Sequence, residues 1–274
     1  MLTQSEVRTL ADDLGLGHLA EGLVEALRPV YRLELSSDGD VVRIGGTPDL
    51  VEGEQWPCNP RGVALTFIAQ LEPSRLPTLP AADTSAAGWL GDRRCIRLFA
   101  DLYDRPLDTT ALVALVADAA APCVNAAQPT RPPSLFEERA VGALDQCPVD
   151  AVPAWALDGS HPAVAAAERI DHGDMLRDAP LLELSHRLHT TQELLPGWQL
   201  LPRLLGPLDE EAAELSITFP GIDPELEDAR AWTVLLQLGE PFFSYPGGLY
   251  VLIPSADLAE HRYDRALAGC GPVG

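Results

Sequence analysis

Two histidines three residues apart, His186 and His189 in LELSHRLHTTQE, follow Glu183 by three and six positions, so a helix there would put all three on one face. Imidazole nitrogens and carboxylate oxygens are ligands for zinc and other transition metals, and Asp171, His172 and Asp174 lie close by in sequence. Four of the six histidines fall between His161 and His189. A metal-dependent hydrolase built on that region is one reading of the chain. The spacing H-E-x-x-H is absent, however, and ligand types alone fix no geometry. A solvated helix face is the competing reading, and neither a metal nor a cofactor is assigned.

Other chemistry is poorly supplied. The five cysteines (Cys58, Cys95, Cys123, Cys147 and Cys270) are widely spread and form no C-x-x-C pair, which fits reduced thiols better than a zinc site. A nucleophilic thiol needs a neighbour that stabilises its anion, yet Cys58 stands between Pro57 and Asn59 with no histidine following before His161. No G-x-S-x-G elbow occurs. All nineteen basic residues are arginine, so lysine-based phosphate loops, Schiff bases and general bases are excluded. No catalytic residue is assigned.

Two glutamines attract more interest. Gln70 and Gln237 each sit near the end of an almost wholly apolar run, LTFIAQL (65–71) and WTVLLQL (232–238), where burial demands hydrogen-bond partners. They either tie down neighbouring loop backbone or face one cleft between two halves and read a ligand or peptide. Trp56 and Trp232 are the aromatic companions of that second reading.

The elements that must position these residues follow from pattern. Thr3 with Glu6 fits a capping box, and helical spacing of Val7, Leu10 and Leu14 predicts N-terminal helices over 1–30, broken near Gly15 and Gly17. YRLELSSDGDVVRIGG alternates around Asp38-Gly39 and predicts a hairpin. LTFIAQL and WTVLLQL predict strands covered on both faces; IRLFADLY (96–103) and GGLYVLI (247–253) predict two more. DTTALVALVADAAAP (108–122) predicts a capped helix, QPTRPPSLFEE and QCPVDAVPAW predict loops, and SHPAVAAAERI (160–170) predicts a helix capped by Ser160. In RIGGTPDLVEGEQWPCNP, Gly45 and Gly46 suit a turn of positive φ or close approach, and Trp56 plugs a proline-rich segment onto the core.

Aligning the two apolar runs matches Thr66 with Thr233, Gln70 with Gln237 and Leu71 with Leu238, which suggests an internal repeat. The expected fold is α+β: two similar, mostly antiparallel sheet halves in one compact unit. One domain spans 1–274, with a first β half over 31–105, a helical and Pro-rich connecting region over 106–200, and a second β half over 201–274.

GGTPDLVEGEQWPCNPRGVALTFIAQLE, followed later by RLLGP, WTVLLQL and GGLYVLIPSADLAEHRYDRALAGC, resembles the two blocks of the YwqG-like bacterial family, a domain of unknown function. The resemblance covers about 43–77, 203–207 and 232–270. It implies an α+β fold with two related sheet halves and no established activity. Val51, Pro207, Gly239 and the SYPGG turn depart from the family pattern, so a polar site built on the aspartates common there is incomplete in this chain.

The charge balance either serves only to keep the protein soluble or points to a partner. Forty-one acidic residues against nineteen arginines give −22, a field that repels nucleic acid and anionic lipid and welcomes a basic protein. The N-terminus shows no secretory pattern, and no apolar run is long enough to span a bilayer. These features lead to an expectation of a cytoplasmic, non-catalytic protein-binding module, in its specific form an immunity or antitoxin protein for a basic partner. The alternatives are the metal-dependent hydrolase and a small-ligand sensor with its cleft between the halves.

Overall fold

The computed structural model describes residues 1–36, 41–79, 94–102, 110–131, 144–171, 179–189, 203–207, 228, 231–239 and 248–270. The chain opens with α1 (Gln4–Asp13), a 3-10 turn (Gly17–Leu19) and α2 (Ala20–Glu25). The capping box forms: Glu6 N–H donates to Thr3 Oγ1 at 3.3 Å, and Thr3 N–H donates to Glu6 Oε2 at 2.7 Å. Gly15 takes φ +78° and ends the first helix.

Strands then dominate: β1 (Leu27–Leu35), β2 (Val42–Ile44), β3 (Asp49–Val51), β4 (Thr66–Leu71), β5 (Arg94–Ala100), β6 (Thr110–Ala111), β7 (Val113–Asp118), β8 (Cys123–Asn125) and β9 (Cys147–Leu157). Helices α3 (Pro162–Asp171) and α4 (Pro180–His189) follow, then β10 (Arg203–Gly206), β11 (Trp232–Leu238), β12 (Leu249–Pro254), α5 (Ser255–Ala259) and β13 (Leu267–Cys270). Eleven strands share one antiparallel sheet in the order β6-β13-β12-β11-β10-β1-β9-β2-β4-β5-β7, while β3 and β8 pair separately.

The two edges of the large sheet are consecutive in the chain. Ala111 pairs with Leu267 on β13, Val113 pairs with Phe99 on β5, and only Leu112 separates them. Two residues span at most about 7 Å, so the edges must meet and the sheet closes into a ring. Leu112 seals the joint: its N–H donates to Ala266 C=O at 2.9 Å and its side chain is buried in the core. Closure removes the exposed edges that a sheet of this size would present. One core fills the inside, drawing Tyr31 and Leu33 from β1, Ile44 from β2, Leu71 from β4, Leu98 from β5, Val149 from β9, Leu236 from β11 and Val251 from β12. The long β1–β9 pair runs on past this core, where Leu27 and Trp155 pack with Val7, Leu23, Val164 and Leu184 of α1–α4.

The two halves share an irregularity and a pairing. In β4 a register shift between Phe67 and Ala69 leaves Ile68 as a bulge; in β11 the shift between Val234 and Leu236 leaves Leu235. Both bulged side chains are fully buried in the same core. Arg43 pairs with Gln70 in one half as Arg203 pairs with Gln237 in the other. The first strands are exchanged: β1 pairs with β10 of the second half, and β9 pairs with β2 of the first.

Four expectations are corrected. The stretch 31–46 is not a hairpin, because β9 lies between β1 and β2: Val149 pairs with Leu35 on one side and Val42 on the other. The segment 108–122 holds β6 and β7 rather than a helix; its apolar run satisfies either period, and pairing with β5 and β13 decides. QCPVDAVPAW is strand β9, not a loop. Ser36 N–H donates to Pro148 C=O and Asp158 N–H to Ala26 C=O, which fixes the ladder phase so that the nitrogen of Pro153 faces away from β1 and costs no bond. Finally, α3 is capped by His161, whose Nδ1 accepts Ala163 N–H at 3.2 Å, while Ser160 donates to Asp158.

Candidate functional site

Adjacent strands place Arg43 (β2), Gln70 (β4) and Arg97 (β5) in register on the outer face of the ring, since their neighbours Ile44, Ala69, Leu71, Ile96 and Leu98 face the core. The segment 45–65 lies over this row, and β3 is its innermost part. Gln70 Oε1 accepts Asp49 N–H at 3.0 Å and a proton from Arg43 Nη2 at 3.0 Å, while its Nε2 donates to Asp49 Oδ2 at 3.0 Å. Arg43 Nη2 also meets Asp49 Oδ2 at 2.9 Å. Arg97 is 0% exposed; its Nη1 donates to Glu54 Oε2 at 2.7 Å and to Asp49 C=O at 3.0 Å, and its Nε to Leu115 C=O at 3.3 Å. Glu54 Oε2 in turn accepts Val51 N–H at 2.9 Å. Side chains thus stand in for the strand that β3 lacks on its barrel side.

Chemically this network is two guanidinium–carboxylate pairs and an amide that bond one another and the backbone of β3, with Arg43 Nε buried and unpartnered among the described residues. The lid is closed further by Trp56, whose Nε1 donates to Leu65 C=O at 2.9 Å and whose ring meets Phe99 edge-on, centroids 5.4 Å apart at 76°. Gly45 and Gly46 make the entry turn at φ +61° and +71°, tight against Leu144, Asp145 and Gln146, where a Cβ has no room. Cys58 is exposed, its Sγ 3.6 Å from Trp56 C=O. Burial pushes the Cys95 thiol up to about 11 and the Cys270 thiol to about 12, and raises Cys147 as well, so these three stay protonated at neutral pH.

Gln237 and Trp232 are buried on β11, with Gln237 opposite Tyr250 and Arg203 in register. Gln70 and Gln237 are not brought together. Counting β6 and β7 as one bent strand, five steps separate β4 from β11 in either direction around the ring, and both side chains lie on the outer face.

His186 and His189 are buried on α4, at 5% and 2% exposure. Burial lowers the His186 pKa against the opposing pull of Glu183, and its Nδ1 is buried with no hydrogen-bond partner. Glu183 is engaged by Arg187 Nε at 2.5 Å, and the His189 carbonyl accepts from Arg32 Nη1 at 2.5 Å. His172 and Asp174 lie outside the described residues. Among the described residues no group of three or more His, Cys, Asp or Glu side chains is arranged to hold a metal ion.

Sequence reasoning missed Arg43, Asp49, Glu54 and Arg97. A signal existed in Arg97, the lone charge inside the apolar run CIRLFA, because a buried guanidinium demands a carboxylate partner.

Residues 42–91, which hold Arg43, Asp49, Glu54 and Gln70 of this network but stop short of Arg97, match the family model of a domain of unknown function, DUF1963. No curated protein matches the chain. No helix among the described residues is long and apolar enough to cross a membrane.

Proposed function

We propose that this chain is a YwqG-like, internally repeated, non-catalytic protein-binding module of the bacterial cytoplasm that engages a basic protein, as an immunity or antitoxin protein does. The observation that carries the reading is where the charges go. Arginines are spent internally: Arg8 on Glu21, Arg28 on Asp158, Arg32 on Glu34, Arg43 on Asp49, Arg97 on Glu54, and Arg262 and Arg265 on Asp257. Each of these pairs is neutral, so they leave the net charge of −22 uncompensated. Such a field steers a cationic partner and accelerates its encounter. The site with the richest polar geometry, around Arg97 and Gln70, supports the same reading, because its groups hold a lid in place and leave no pairing of nucleophile and base.

Calorimetric titration against the basic proteins encoded beside this chain tests the proposal. Saturable binding that weakens as salt rises is expected. Absence of binding to every one of them at low salt overturns the reading.

A further inference from the structure

β8 is the outer member of the small β3–β8 sheet. On the barrel side β3 is closed by Gln70, Glu54 and Arg97, so among the described residues the free side of this sheet is beyond β8. The ladder phase fixes what β8 offers there. Ala126 N–H donates to Pro48 C=O at 3.0 Å, so Val124 exchanges its main-chain bonds with Leu50, and the N–H and C=O groups of Cys123 and Asn125 point away from β3. All three residues are exposed, Val124 at 56%. An edge with outward donors and acceptors is a template for another strand. Pro122 and Pro129, which bring no N–H, bracket it and confine any added strand to a short one.

Charge selects the occupant. Glu52, just past the end of β3, is exposed, whereas Asp118, which opens the turn leading into β8, stands opposite Arg94 of β5. The arginines beneath this sheet, Arg43 and Arg97, are paired with Asp49 and Glu54. A second copy of the chain brings the same −22 and the same carboxylates to the edge, which disfavours self-pairing.

We propose that the open edge of β8 docks an extended, arginine- or lysine-bearing segment of a partner protein as a third strand, with main-chain bonds at Cys123 and Asn125 and a positive charge that complements the −22 of the chain. The proposal rests on the protein-binding reading above and gives it a surface.

Amide hydrogen exchange on the full chain tests it, with a short peptide of alternating arginine and valine as the probe. Binding slows exchange at Cys123 and Asn125 by about tenfold or more. The same peptide N-methylated at alternate residues keeps its charge, loses its edge donors, and leaves both amides unprotected. Asn125→Pro removes the outward-facing N–H together with the side-chain oxygen that accepts from Thr47 Oγ1 and abolishes peptide binding; Asn125→Ala, which loses the same oxygen but keeps that N–H, binds within about twofold of the parent. Thermal melts of the two variants check that both are folded. Peptide binding without protection at Cys123 and Asn125, equal binding of the N-methylated peptide, or no binding at all overturns the edge as the dock. None of these results touches the calorimetric test of basic protein partners, whose failure removes the parent reading separately.

Discussion

Gln70 and Asp49 meet twice: the amide oxygen of Gln70 accepts the backbone N–H of Asp49, and its amide nitrogen donates to the Asp49 carboxylate, both at 3.0 Å. Gln70 thereby satisfies the outward N–H of Asp49 as a neighbouring strand would, while Arg97 Nη1 donates to the Asp49 C=O. Gln70→Leu fills similar space but strands the Asp49 N–H on β3 and leaves Asp49 Oδ2 to Arg43 alone. A loss of about 1–3 kcal/mol is expected, read as a lower denaturant midpoint with unchanged slope. Gln70→Glu sets a carboxylate against Asp49 and destabilises further. An unchanged midpoint in Gln70→Leu contradicts the network as drawn.

Arg97 is the deeper anchor. Arg97→Met removes the cation from Glu54 and the donors from the Asp49 and Leu115 carbonyls, for an expected cost of about 3 kcal/mol or more. Adding Glu54→Gln keeps the acceptor for Val51 N–H while deleting the orphaned charge. The double variant is therefore more stable than Arg97→Met alone, and equilibrium unfolding of the pair of proteins measures the difference.

Glycine replacements separate strain from flexibility. At Gly45 an added Cβ meets Leu144 and the Asp145 carbonyl at a φ that L residues avoid, whereas at Gly53 and Gly62 nothing lies within 4 Å. Gly45→Ala is expected to lower the melting temperature well beyond Gly53→Ala or Gly62→Ala, which bear the positive-φ cost alone.

Acid sensitivity is expected from Asp257. Its carboxylate is fully buried and takes two bonds from Arg265 at 2.7 Å and one from Arg262 at 2.5 Å. The Arg265 bonds chiefly, with help from Arg262, hold its pKa below the ordinary value against the opposing effect of burial. A depressed carboxyl pKa stabilises the fold at pH above the unfolded value of about 4 and loses that contribution as pH falls through the folded value. Asp257→Asn is less stable at neutral pH and flattens the acid limb of stability against pH. Parallel limbs for the two proteins contradict this assignment.

Much of this architecture was legible in the chain. The apolar runs carrying Gln70 and Gln237, with Thr66 aligned on Thr233, were legible as strands of an internal repeat, while the bulge at Ile68 and Leu235 was not. Gly45, Gly46 and Trp56 announced a turn and a plug because backbone sign and ring size are local properties. β9 was hidden by Pro148 and Pro153: whether a proline breaks a strand depends on which way its nitrogen faces, and only the partner strand decides that. β6 and β7 were hidden because an alanine- and leucine-rich run carries helical propensity that long-range pairing overrides. Arg97 was passed over because its carboxylate, Glu54, is 43 residues away.

Closure of the sheet through 110–118 matters most, since it fills the interior with apolar side chains and leaves function to the outer surface. Cross-strand nuclear Overhauser contacts in solution decide it. The account predicts contacts of Ala111 with Leu267 and of Val113 with Phe99 in one and the same species. Helical contacts between residues three apart across 110–118, or one set of strand contacts without the other, contradict it.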